Sequence, residues 1–308
     1  MSHNTGATTA KRSVALIGAA SSIGIRPYDD GRQRQLDRAP AALRDEGLVS
    51  RLRVRDLGDV APPAYQDFAR VDSRPRNESG LIAYSRELGK RIGAASEDGA
   101  FVLVLGGDCS IVLGSLLGIR SRGDRPVGLA YLDGHADFAS PEESITGSAA
   151  SMCLAMAVGR GETPLARLGS SGPLVKAEDT VLVGRRDHAE RWYGHDALER
   201  SDILDIHCET VHDLGPGAVA QQCLPRLTAP AGGFWIHVDA DILDPTELAA
   251  VDSPEPDGLT FAQLAALLRP LVRHPKARGM EITIYDPHLD PGLAGARRIV
   301  TMLENVFG

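Results

Sequence analysis

Cysteine is scarce in this 308-residue chain, and what there is lies scattered: Cys109, Cys153, Cys208 and Cys223 form no CxxC pair. That spacing excludes a disulfide framework and a structural zinc knuckle, and makes three of the four ordinary buried thiols. Long apolar runs are missing as well. None reaches the roughly 18 residues that a membrane span needs, and the apolar stretch at 13–25 is too short for a secretory signal despite Lys11 and Arg12 before it, so a cytoplasmic protein is expected. Positive charge is in deficit, with 33 Lys and Arg against 41 Asp and Glu, a formal net charge of −8 and a pI near 5.6. Without a cationic footprint, neither a nucleic acid nor an anionic membrane is the expected partner, and a small molecule is. A dinucleotide fingerprint is lacking too: the turn from Gly18 to Gly24 departs from GxGxxG spacing. The segment after it is also too polar to form the helix that would dock a pyrophosphate.

What is present is an apolar content of 43%, enough to bury one large core. Short β-rich runs at 13–18, 52–56, 100–105, 127–132, 180–183, 233–238 and 279–285 alternate with helical patterns at 39–46, 82–95, 110–121, 148–158, 216–227 and 260–273. This alternation predicts a single three-layer α/β/α domain over 13–308, with a mainly parallel sheet. The polar segment 1–12 is expected to stay mobile. Loops at 57–80, 139–147 and 246–258, rich in Pro, Asp, Glu and Ser, are the expected walls of a pocket.

Three acidic stretches, each closing an apolar run, carry the chemistry: VLVLGGDCS at 102–110, GLAYLDGHADF at 128–138 and FWIHVDADILDP at 234–245. In an open α/β sheet the carboxyl ends of the strands form the ligand crevice, so these groups can meet there. Asp133, His135 and Asp137 alternate and would share one side of an extended segment, as would Asp239 and Asp241. Packed together without a cation, the carboxylates would repel one another severely. Two divalent ions would neutralise them and supply hydroxide near neutral pH. Carboxylate oxygens with an imidazole suit Mn²⁺. Any single Asp after a strand is as well explained as a helix cap, Asp108 before Ser110 being the example, but the DGHAD and DADILDP clusters together are not. His237 is read as a packed or supporting histidine rather than a ligand.

With these blocks in hand, the chain resembles the ureohydrolases, the family of arginases, agmatinases and formiminoglutamases. The resemblance runs through LGGDCS, DGHAD, GRRD at 184–187, HVDADILDP and the closing GMEITIYDPHLDPG at 279–292. It implies an arginase-like domain holding two Mn²⁺ ions that cleaves a guanidino or amidino C–N bond by attack of a bridging hydroxide, and a homotrimer or homohexamer. It further implies that Asp133 and Asp239 bridge the ions, that Asp137 completes the first shell, and that His135 and Asp241 complete the second. Asp241 would also pass a proton to the leaving amine, and Glu281 would pair with the substrate's guanidinium. Asp244 and Arg186 look like structural partners.

Two departures qualify the resemblance. Family members carry His where this chain has Cys109; a soft thiolate matches Mn²⁺ poorly, so the first site is expected to bind weakly or to take another divalent ion. Residues that grip an amino-acid substrate in arginases are replaced here by Ala139, Thr146-Gly147, Ala150-Ser151 and the loop His188-Ala189-Glu190. Ordinary L-arginine is therefore not the expected substrate, and Glu190 is a candidate contact for a charged substrate end. N-hydroxyarginine hydrolase and formiminoglutamase or agmatinase activities are the alternatives within the family. A metal-poor, catalytically quiet binding or oligomerisation homologue is the alternative outside it.

Overall fold

A computed structural model describes residues 12–66, 73–97, 99–120, 125–169, 172–187 and 194–308. The segment 1–11 and Glu190, on which two expectations fall, lie outside the described residues. Among those described, eight strands form one sheet: β1 (Val14–Ala19), β2 (Arg55–Val60), β3 (Phe101–Gly106), β4 (Gly128–Leu132), β5 (Thr180–Val183), β6 (Leu204–Ile206), β7 (Phe234–Asp239) and β8 (Ala277–Thr283). Their order is β2-β1-β3-β8-β7-β4-β5-β6, and every neighbouring pair is parallel. A parallel sheet needs crossovers that cover both faces, and so its inner strands read as unbroken apolar runs. Accordingly β3, β4 and β7 are buried along their whole length. The edge strand β2 is mostly exposed, so no apolar run marks it in the sequence; it starts three residues later than 52–56 predicts.

The helices are α1 (Ala39–Asp45), α2 (Leu48–Leu52), α3 (Glu78–Ala95), α4 (Ile111–Arg120), α5 (Cys153–Ala157), α6 (His195–Glu199), α7 (Cys208–Leu214), α8 (Pro216–Thr228), α9 (Phe261–Arg273) and α10 (Ala294–Phe307). They form two layers: α3 packs on α4 and α4 on α5, while α8, α9 and α10 pack in succession with α1 and α2 against α10. Together with the sheet this is the expected three-layer domain. The expected helix at 148–158 is a 3-10 turn at Ala149–Met152 followed by the short α5. The amphipathic helix α10 buries Ile299, Leu303 and Val306 at helical spacing. Thr260 caps α9 in a reciprocal box with Gln263, which satisfies two backbone donors that the helix start would leave open.

Helices α3 and α4, which precede and follow β3 in the chain, pack in close approach. A Cβ on Gly118 would sit 2.8 Å from the Gly89 carbonyl, and one on Gly114 would sit 3.0 Å from the Ser85 carbonyl. Gly118→Val should therefore push the helices apart and lower stability by about 1–3 kcal/mol. Urea unfolding of the variant against the wild type checks this, and an unchanged midpoint would show that the contact is not tight.

Candidate metal centre

The centre lies at the carboxyl ends of the middle strands β8, β7 and β4 and in the loops that leave them and β3. Register places Tyr131, His237 and Glu281 side by side across β4, β7 and β8. Two residues further on, where side chains return to the same face, stand Asp133, Asp239 and Thr283, with Asp239 paired to Thr283. Cys109, just past β3, reaches the same place: its Sγ lies 2.7 Å from Asp239 Oδ2 and 3.6 Å from Thr283 Oγ1.

Two groups of buried ligand atoms share Asp133. One is Cys109, Asp133, His237 and Asp239; the other is Asp133, His135 and Asp241, and within each group the atoms lie within 4.8 Å of one another. The loops hold them by backbone bonds. Asp133 Oδ1 accepts from the His135 amide at 2.7 Å, Asp239 Oδ1 from the Asp241 amide at 2.8 Å, and Asp241 Oδ1 from the Gly134 amide at 3.0 Å. His135 Nδ1 stands 2.9 Å from Asp241 Oδ2. Gly134 lets its loop lie close to the one after β7: a Cβ there would sit 2.8 Å from Arg186 Nη1 and 3.0 Å from the Asp241 carbonyl. Asp137 belongs to neither group. Its carboxylate accepts from the Tyr131 hydroxyl at 2.6 Å, and it lines the same cleft, of about 240 Å³, as Cys109, His135, Asp239 and Asp241.

Two buried polar atoms in this cluster, Asp133 Oδ2 and His237 Nε2, have no hydrogen-bond partner. Buried polar atoms are nearly always paired. Two orphans beside a set of carboxylates are what a pair of hard or borderline divalent cations would satisfy, so the residues present fit such ions.

The electrostatics agree. Burial, then repulsion from Asp239, Asp241 and Asp137, holds Asp133 well above the usual carboxylate range. Asp239 is raised likewise, by burial and by Asp241. Burial and the same carboxylates push the Cys109 thiol up. Burial pushes Asp137 up to about 7, with Asp241 and Asp187 adding to it against the Tyr131 hydroxyl and His135. Burial alone would lower His135, but Asp241 overrides it and the imidazole is pushed up to about 10. Asp241 is the exception: His135 and Arg186 outweigh its burial and hold it below the ordinary range.

The expected ligands Cys109, His135, Asp137, Asp239 and Asp241 thus line one cleft, and Asp133 joins them through both groups of ligand atoms. Glu281 does not join them. It is fully buried beneath the cluster, its Oε1 facing His237 Nδ1 at 2.8 Å and its Oε2 accepting from Ser115. Among the described residues it touches His237 and Ser115 rather than the cleft that most of the other expected residues line. As an in-register neighbour of His237, it points into the α4 layer, and the residue that β8 sends to the cleft wall is Ile284, whose φ of 66° turns the chain there. His237, read from the sequence as a packed histidine, stands inside the first ligand group; the alternation that puts it on the face of Asp239 was the available signal.

Other expectations resolve as structural. Asp108 accepts from the Gly24 and Ser110 amides, Asp244 from Thr246 and Gly258. Arg186 donates to the carbonyls of Asp241 and Glu255, which pins the loop after β7. Asp187, which the sequence did not single out, holds the DGHAD loop through the Ala136 amide at 2.8 Å. Loops 139–147 and 246–258 reach the cleft through Thr146 and Asp252, whereas the described part of 57–80 lines none of it. Ile25, Arg26 and Arg34 stand there instead.

Comparison with known proteins follows this geometry. A family model described as the Arginase family matches residues 13–308. Arginase of Bacillus caldovelox is 30% identical over 298 residues, covering 94% of this chain and 97% of that protein. Arginase of Staphylococcus aureus strain COL is 30% identical, covering 97% and 98%. The crystal structure of the Bacillus caldovelox arginase superposes with a TM-score of 0.84 at 27% identity, covering 96% of this chain and 98% of that one.

A pH dependence follows from the raised groups. Folded Asp137 keeps its proton up to about pH 7, where the unfolded chain has lost it above its ordinary 3.8. Folding therefore takes up protons in that window, and stability falls as pH rises through it. His135, raised from 6.5 to about 10, contributes stability below 6.5 that is lost toward 10. The metal-stripped protein should accordingly lose stability steadily from about pH 5 to pH 9, and Asp137→Asn should flatten the acid half of that slope. Urea midpoints across the range check it; a midpoint that rises with pH would contradict the charge assignment.

Proposed function

The chain belongs to the arginase family of carbon–nitrogen hydrolases, and on that premise we propose that it is a divalent-metal hydrolase of a linear amidine other than L-arginine. The observation that carries this reading is the shared Asp133, with one buried oxygen unpaired, between two groups of ligand atoms. Cys109, Asp133, His135, Asp137, Asp239 and Asp241 would hold the ions, Asp133 being the one common to both groups of ligand atoms. When bound, such ions would lower the pKa of water toward neutrality and polarise the amidine under attack. Manganese as the metal, a trimeric or hexameric assembly and a cytoplasmic location belong to the same proposal. Among the described residues no helix is long and apolar enough to cross a membrane.

The chain's own residues supply the rest. Asp241, kept ionised by His135 and Arg186, is the acceptor for a proton released by the attacking water and the donor to the departing amine. The cleft wall offers hydroxyls from Thr146, Ser148 and Ser151 and the apolar Ile284. Of its acids outside the ligand set, Asp252 is already paired with Arg34 at 2.6 Å. L-arginine is disfavoured because the positions that hold an amino-acid substrate in arginases read Ala139, Thr146-Gly147 and Ala150-Ser151 in this chain, which favours an amidine with a different far end. Glu190 remains the candidate for a charged substrate end.

Purified, Mn²⁺-loaded protein assayed against L-arginine, N-hydroxyarginine, agmatine and formiminoglutamate tests this. Turnover is expected with a compound other than arginine, releasing urea, hydroxyurea or formamide. Preferential cleavage of arginine would overturn the substrate assignment, and failure to bind any ion would support the quiet homologue. Asp239→Asn should lower kcat by at least about a hundredfold, since even residues one shell further out cost 10–100-fold, with loss of bound metal by elemental analysis. Wild-type turnover in that variant would remove the metal centre from the reaction.

A further inference from the structure

The geometry points to His237 as a direct ligand of the first metal ion, held for that purpose by Glu281 and Ser115. The inference rests on the metal-hydrolase reading and gives a ligand role to a residue that the sequence left as a packed or supporting histidine.

His237 sits on β7, two residues before Asp239 and on the same face of the sheet. It is entirely buried, and a ligand atom of its ring lies within 4.8 Å of those of Cys109, Asp133 and Asp239. Its two nitrogens have different surroundings. Nδ1 is 2.8 Å from Glu281 Oε1, and the other oxygen of Glu281 accepts from the Ser115 hydroxyl. A carboxylate accepting at both oxygens requires the imidazole proton on Nδ1. Nε2 then carries a bare lone pair, and that atom has no partner. Tyr131 stacks on the ring at 4.2 Å and 17°, which fixes its plane from the β4 side.

This is the arrangement of a metal-ligating histidine. The far nitrogen donates to a carboxylate, which sets the tautomer and raises the basicity of the near one. A histidine that only filled the core would leave a buried acceptor unpaired at a cost of about 1–3 kcal/mol. Glu281 gains a role as well: lying beneath the cluster, it positions His237. An imidazole also suits a borderline divalent cation better than the thiol of Cys109 suits a hard one. The first site therefore has a nitrogen donor whether or not the sulfur coordinates.

Metal binding by isothermal titration and elemental analysis, with Mn²⁺ as the probe, separates the possibilities without an activity assay. His237→Gln, close in volume, and His237→Ala should each bind one ion fewer than wild type, with circular dichroism confirming the fold. Glu281→Gln should keep the stoichiometry and weaken binding of that ion by roughly 10–100-fold. In crystals of the Mn²⁺-loaded wild type, an anomalous peak should stand about 2.1 Å from Nε2, a result that needs no variant. Equal stoichiometry and affinity in the folded variants, or a peak far from Nε2, would overturn the assignment of His237 alone. A wild type that binds none of Mn²⁺, Zn²⁺ and Fe²⁺ would overturn the hydrolase reading beneath it.

Discussion

Four carboxylates buried in one cluster, with His135 paired to one of them as a counter-charge, set the terms for the rest of this molecule. Asp133, Asp137, Asp239 and Asp241 cannot all be ionised at such separations without a cation. The fold could have relieved the conflict by turning the side chains outward. Instead each is fixed, by the His135, Asp241 and Gly134 amides and by the Tyr131 hydroxyl. Holding like charges in place is reasonable only where something positive is to be bound, and the parallel sheet provides the rigid strand ends on which to do it.

The inner strands and the convergence of the three acidic loops were legible in the sequence because both rest on local patterns: unbroken apolar runs for buried parallel strands, and alternation for ligands at i and i+2. Where burial is slight, that signal fades. The edge strand β2 is displaced from its expected place, and the three-residue β6, also at an edge, gives too short a run to register. Helix α10 was not among the expected helices, although Ile299, Leu303 and Val306 carry the helical spacing that would have marked it. The site's interior was harder, because whether Glu281 faces a substrate or a neighbouring strand depends on register across β7 and β8, which no linear pattern states.

That register changes the meaning of two residues together. By motif, Glu281 is an acid for a cationic ligand and His237 a bystander. In space they are partners, with Ser115 behind one and the ligand cluster before the other. The cleft wall then falls to Ile284, a β-branched residue in a left-handed conformation that such residues seldom adopt. That apolar side chain stands on a wall that Arg26, Arg34, Thr146, Ser148 and Ser151 make largely polar, and such a lining, rather than the ligand set, selects among substrates. Membership of the family leaves that choice open.

The sheet order also bears on how the chain is built. β8 is the last strand in sequence yet lies between β3 and β7, so it is the seam joining a segment of β2, β1 and β3 to one of β7, β4, β5 and β6. Until Thr283 has left the ribosome, a nascent chain would carry two incomplete half-sheets with open edges, the kind of surface that invites pairing with other chains. The face on which the ion cluster rests is completed by that same strand. Cation loading would thus come at the end of biogenesis, acting as a latch on a finished sheet rather than as a nucleus for its assembly.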